Sequence, residues 1–126
     1  MNADLKITSE QIQRQGKDPV TVFHPRGWLD AQSEEQLLTA AREAHAAGTR
    51  YLVLDMAEID TLTSAGMRAI QKVYKLFTPS DQNAKTARIK LCNASAPVYQ
   101  VLKITGFLQS MPMYESLQTA LDSYEV

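Results

Sequence analysis

Residues 51–77, YLVLDMAEIDTLTSAGMRAIQKVYKLF, carry two hydrophobic rhythms separated by a polar run, and that change of rhythm decides the fold. Tyr51, Leu52, Val53 and Leu54 form an unbroken apolar stretch ending at Asp55. A strand covered on both faces reads this way, which points to an α/β sheet. From Met67 onward the apolar residues Met67, Ile70, Val73, Tyr74 and Phe77 recur at intervals of three and four, the period of one helix face. A polar connection lies between the two, ending in the hydroxyl run Thr61-Leu62-Thr63-Ser64. The hydroxyls therefore meet a helix N-terminus.

The first turn of a helix leaves backbone N–H groups unpaired and carries about half a positive charge, so it normally draws Asp or Glu. Here Ser64 is followed by Ala65, Gly66, Met67 and Arg68. Gly66 is expected to leave room for an approaching group, and Arg68 adds a cation. The position is short of negative charge, and a phosphate on Ser64 would supply about −1.5 to −2 units of it. The plainer alternative is that Thr63 or Ser64 is an N-cap, the ordinary role of a hydroxyl at a helix start.

Upstream, weak alternation from Leu5 to Gln13, a turn at Gln15-Gly16-Lys17-Asp18-Pro19 and the run Val20–Phe23 predict a hairpin. His24-Pro25-Arg26-Gly27-Trp28-Leu29-Asp30 then leads into a first helix. Ser33 with Gln36 matches a capping box, and Leu37, Leu38, Ala41 and Ala44 mark a helix face over about Ser33 to Ala47, closed by Gly48. A helical crossover between the strands at Val22 and Leu52 makes them parallel. Downstream, Thr78-Pro79-Ser80-Asp81-Gln82-Asn83 reads as a loop and Ala87 to Cys92 as a strand. Pro97 opens a third helix that Gly106 closes. A short strand near Met111 and Met113 falls at a sheet edge because of Pro112. Leu117, Ala120, Leu121 and Tyr124 form a last amphipathic helix. The expectation is an α/β fold, one domain over residues 1–126, with a mixed sheet of four to five strands and about four helices.

The chain of 126 residues has a net charge of −1, without the clustered basic face that nucleic acid requires. Its one cysteine, Cys92, cannot form an internal disulfide, in keeping with a reducing, cytosolic setting. The start MNADLKITSE lacks the pattern of an export signal, and no segment approaches the length of a membrane span. A soluble, cytoplasmic protein is expected. His24 and His45 have no companion cysteines or carboxylates at ligand spacing, so no metal site is expected. Asp55, Glu58 and Asp60 are adequately explained as loop solvation, with a Mg²⁺ site as the sharper alternative. Leu62 stands where a nucleophile elbow needs glycine, and no glycine-rich phosphate loop occurs. The chain is not expected to be an enzyme or to carry a cofactor.

The run Leu62-Thr63-Ser64-Ala65-Gly66-Met67-Arg68-Ala69-Ile70 resembles the signature of STAS domains of the anti-sigma-factor antagonist type. Gly27-Trp28-Leu29-Asp30 is similar to that family's Gly-x-Leu-Asp turn, and Leu102-Lys103-Ile104-Thr105-Gly106-Phe107 to its Leu-x-x-Thr-Gly-Leu segment. The resemblance implies that Ser64 is phosphorylated by a serine-protein kinase that is itself an anti-sigma factor or related switch protein. A PP2C-type serine phosphatase would reverse it. It also implies that Asp30 and its loop belong to the partner surface, beside Thr63, Ser64, Ala65, Gly66, Met67 and Arg68. Family members often carry Asp where Thr63 stands and serine where Ala65 stands, which makes Thr63 a competing acceptor. Trp28 and Met67 are interface candidates, with core packing the alternative for Met67 on its helical spacing. The chain is expected to act as a monomer or weak dimer. Two other readings remain: a sensor that holds an anionic small molecule at the same helix start, and an assembly subunit with a non-sigma partner.

Overall fold

A computed structural model describes residues 4–78, 88–109 and 111–124 of the chain. Strands β1 (Lys6–Arg14) and β2 (Lys17–Leu29) form the expected antiparallel hairpin, turning at Gln15-Gly16. β2 is longer than expected. It runs on through His24-Pro25-Arg26-Gly27-Trp28, the segment read as a lead into the first helix. Two partners in succession keep it extended: Thr21–Phe23 pair in parallel with β3 (Leu52–Asp55), and Arg26–Leu29 with β4 (Glu58–Leu62). Pro25, which has no N–H to give, sits where β3 has ended and β4 has not begun.

β4 corrects the reading of residues 58–62 as a polar connection. Glu58 and Asp60 are exposed while Ile59 between them is buried, the alternation of a strand covered on one face. β5 (Ile89–Cys92) pairs with β3, and β6 (Met113–Tyr114) lies at the sheet edge beyond Pro112 as expected. The order is β1-β2-β3-β5-β6, with β4 beside β2, a mixed sheet of six strands among the described residues. The loop expected at 78–83 and the strand start at Ala87 fall, apart from Thr78, outside the described residues.

Helices α1 (Glu34–Ala46), α2 (Ser64–Phe77) and α3 (Ala96–Ile104) contribute to the core on one sheet face; a 3₁₀ turn (Phe107–Gln109) follows α3. Leu37 and Leu38 of α1, Ile70 and Val73 of α2 and Leu102 of α3 pack with Phe23, Leu52, Leu54, Ile89 and Leu91 of the sheet. Each such side chain contributes about 1.5–3 kcal/mol by leaving water. On the other face, Val20, Val22, Val53 and Cys92 meet Ala120 and Leu121 of α4 (Leu117–Asp122) and Tyr124. β3, up to its last residue Asp55, and β5 are apolar because both of their faces are covered. Lys90 is the exception within β5: it is 4% exposed, its ammonium donates to Ser123 Oγ at 2.6 Å and lies 4.1 Å from the Tyr124 ring centre.

The capping box expected at Ser33 does not form. The Ser33 hydroxyl donates to the Trp28 carbonyl at 2.8 Å and accepts from the Asp30 N–H at 3.0 Å, while Gln36 Nε2 reaches across to the Leu5 carbonyl at 2.7 Å. Asp30 organises the turn instead, its Oδ1 accepting from the N–H groups of Gln32 (3.0 Å) and Ser33 (3.2 Å).

Candidate functional site

The ends of β2 and β4 run side by side, Trp28 opposite Thr61 and Leu29 opposite Leu62, so the chain segments that follow them start close together. Thr63 N–H donates to the Leu29 carbonyl at 3.1 Å. With an extended backbone, Thr63 turns its Oγ1 back to accept from Gly66 N–H at 3.2 Å, and its own proton faces the Leu29 carbonyl at 3.5 Å. Thr63 is thus the N-cap, and Ser64 is the first helical residue. The sequence leaves open which hydroxyl caps; the cap consumes that of Thr63. Ser64 is exposed, and no hydrogen bond engages its hydroxyl among the described residues.

Gly66 plays a different part from the one expected. A Cβ placed there would lie 2.2 Å from the Leu29 carbonyl oxygen, so the missing side chain admits the end of β2, not an incoming group. Gly66 and Ala65 are both buried and shape the surface from beneath. Gly27 has a related role at the sheet: its φ of +111° is one that side chains disfavour, and a Cβ there would meet the Asp4 carbonyl at 2.6 Å. Asp30 and Trp28 are half-buried, Asp30 with its carboxylate committed to the turn.

Electrostatically, the first turn of α2 holds no acid, whereas that of α1 holds Glu34 and Glu35. Glu34 faces α2: it accepts from Lys72 Nζ at 2.8 Å and stands 4.0 Å from Arg68 Nη2, and the Lys72 hydrogen bond draws its carboxyl below the usual range. Arg68, four residues after Ser64, stands on the same side of the helix.

The segment Leu102–Phe107 also arrives here. Thr105 Oγ1 donates to the Val101 carbonyl at 3.0 Å and lies 3.8 Å from Met67 Sδ. Between α2 and this turn runs a groove of about 390 Å³, with Ser64, Met67, Arg68 and Lys75 on one wall and Thr105 and Phe107 on the other. Three stretches distant in sequence thus converge around Ser64. Neither Lys75 nor the groove is legible in the sequence; the one signal is the Leu102–Phe107 segment, which resembles a family motif without showing what it faces.

The acidic group Asp55, Glu58, Asp60 does not act as a unit. Asp55 Oδ2 meets His24 Nδ1 at 2.8 Å, its Oδ1 accepts from Ala57 N–H and Asn93 Nδ2, and Glu58 pairs with Arg26 at 3.4 Å. The other nitrogen of His24 meets Glu10 Oε2 at 2.6 Å. Burial opposes charge on His24, but the hydrogen bonds and charges of Glu10 and Asp55 outweigh it and raise its pKa above 6.5. Among the described residues no three His, Cys, Asp or Glu side chains are grouped to hold a metal, and no helix is long and apolar enough to cross a membrane.

A mixed sheet with helices on both faces and an accessible serine opening an acid-free helix defines an α/β domain built around one helix start. Residues 11–120 match the STAS domain family, and the chain belongs to it. It is 26% identical over 117 residues to the anti-sigma F factor antagonist of Paenibacillus polymyxa, covering 92% of this chain and 96% of that one. In fold it is similar to an anti-sigma factor antagonist from Mycobacterium paratuberculosis, with a TM-score of 0.73, 22% identity and coverage of 94% of this chain and 93% of that one. It is similar too to the Bacillus cell fate determinant SpoIIAA in the phosphorylated form, with a TM-score of 0.65, 19% identity and coverage of 93% and 97%.

Proposed function

We propose that this chain is a phosphorylation-switched interaction module, a cytoplasmic anti-sigma-factor antagonist without catalytic activity of its own. Unphosphorylated, it docks the surface around Ser64 on an anti-sigma factor that is also a serine-protein kinase. Phosphorylation of Ser64 releases that partner, and a PP2C-type phosphatase resets the switch. The names of its relatives support the class of partner. The observation that carries the switch is the division of labour between adjacent hydroxyls: Thr63 holds the helix cap, leaving Ser64 exposed and uncommitted where an anion is favoured. A dianion added at the centre of a docking surface would have to be desolvated on binding, at a cost of several kcal/mol unless a cation meets it. That is enough to change affinity by orders of magnitude.

The test is phosphopeptide mass spectrometry after incubation with a bacterial lysate and ATP. Phosphate is expected on Ser64 and absent from Ser64→Ala. Thr63→Ala should still accept it, while losing about 1 kcal/mol of stability with the cap. Against the kinase partner so recovered, Ser64→Ala should bind like the parent and Ser64→Glu at least about tenfold more weakly. Phosphate on Thr63 in place of Ser64, or full binding by Ser64→Glu, overturns the reading.

A further inference from the structure

The groove beside Ser64 combines apolar surface with positive charge. Met67, Tyr74 and Phe107, each half-buried against the core, offer apolar surface, Arg68 and Lys75 supply positive charge, and among the described residues no carboxylate lines it. Arg68 lies only within 4.0 Å of Glu34, at the outer limit of an ion pair, and Lys75 has no ion pair among the described residues. Ile104, the last residue of α3, is 79% exposed, an apolar side chain left in water. Residues 64, 67, 68, 71, 74 and 75 form one stripe of α2, while Ala65, Ala69, Val73 and Phe77 of the same helix are buried in the core. Along this stripe Ser64, Arg68, Gln71 and Lys75 are exposed, while Met67 and Tyr74 pack in part against the core.

We propose that this groove seats an acidic, amphipathic segment of the partner protein, an apolar side chain entering between Met67 and Phe107 and flanking carboxylates meeting Arg68 and Lys75. The charge of the walls selects the occupant: a basic segment would be repelled, and a neutral apolar one would leave both cations unsatisfied at the rim. This inference rests on the switch reading and gives it a second lever. A phosphate on Ser64 lies one helical turn from Arg68, at the spacing that lets the two side chains pair. It would occupy that cation and repel the incoming carboxylates, so release follows from lost attraction as well as from added charge.

The experiment uses the full chain and three fluorescent helical probe peptides of equal length, read by anisotropy. One carries a Leu/Phe stripe flanked by Glu, the second has Lys in place of each Glu, and the third has Ala in place of each Leu and Phe. Saturable binding of the first alone is expected, weakened at least about tenfold by Lys75→Glu and by Gln71→Glu, and lost near 1 M salt, where screening acts over about 3 Å. Arg42→Glu, an exposed charge change on α1, should leave it unaltered. Binding of the Lys peptide with equal strength, binding insensitive to both groove substitutions, or no binding of the first probe overturns the proposal. Loss of the probe in Lys75→Glu together with full retention in Ser64→Glu supports the groove while removing the switch, so the two readings fail separately.

Discussion

Gly66 makes the strongest demand of any single residue at the site. In an exposed helix, replacing glycine by alanine stabilises by about 1 kcal/mol. Here the new methyl carbon would lie 2.2 Å from a backbone carbonyl oxygen, that of Leu29, which cannot rotate away as a side chain does. The expected outcome for Gly66→Ala is a loss of about 2–3 kcal/mol as α2 is pushed off the end of β2, measured as a lower denaturant midpoint at unchanged slope. A gain in stability would show that the two elements are not in contact there. The sequence could show that a glycine opens this helix but not what presses on it, because the contact comes from the end of β2, far away along the chain. The choice between Thr63 and Ser64 as cap turns on the same carbonyl, which holds the Thr63 N–H at 3.1 Å and so sets Thr63 at the helix start.

Between elements, His24 joins three strands: it stands on β2 and meets Glu10 of β1 and Asp55 of β3. Because its pKa is raised above 6.5 in the folded chain, the contribution of the charged imidazole is fully present below pH 6.5 and lost as pH rises through the folded value. The groups facing it are Glu10 and Asp55, with Asn93 holding the second oxygen of Asp55. Urea unfolding should therefore show stability falling by on the order of 1 kcal/mol or less across this window. His24→Gln should flatten that part of the profile. An unchanged slope in the variant would assign the titration elsewhere. From sequence His24 reads as a satisfied or exposed histidine, and it is a satisfied one; its partners could not be named without the register of β1 on β2. β4 is not legible in the sequence because its alternation is short and carries two acids, and it becomes a strand only because the far half of β2 offers it an edge.

At the scale of the whole molecule, the centre of the sheet at β3 and β5 is covered on both faces, and Cys92 reports on that cover. It ends β5 and is fully buried on the side that packs with α4 and Tyr124, where burial, and next the charge of Asp55, push its thiol up to about 12. A thiol must ionise to react, so iodoacetamide should not label the folded protein at neutral pH. Labelling should rise along the urea unfolding curve of the intact chain. Tyr124 closes this face, its hydroxyl within 3.1 Å of the Leu52 carbonyl and 2.7 Å of the Arg88 carbonyl. Tyr124→Ala should cost about 3–5 kcal/mol and make Cys92 reactive at lower urea. Rapid labelling of the parent protein without denaturant would mean that the α4 face opens independently of the rest.

Periodicity by itself determined the α/β class, the hairpin, the order of helices and strands around residues 51–77, and the placing of a hydroxyl pair at a helix start. These are local properties, written in residues a turn or a pleat apart. Only the tertiary structure decided which hydroxyl is free, why Gly66 is a glycine, that β4 exists, and that the 102–107 turn faces Ser64 across a charged groove. Each of these depends on a contact between segments remote in sequence, and side-chain spacing along the chain holds no record of distances across the fold.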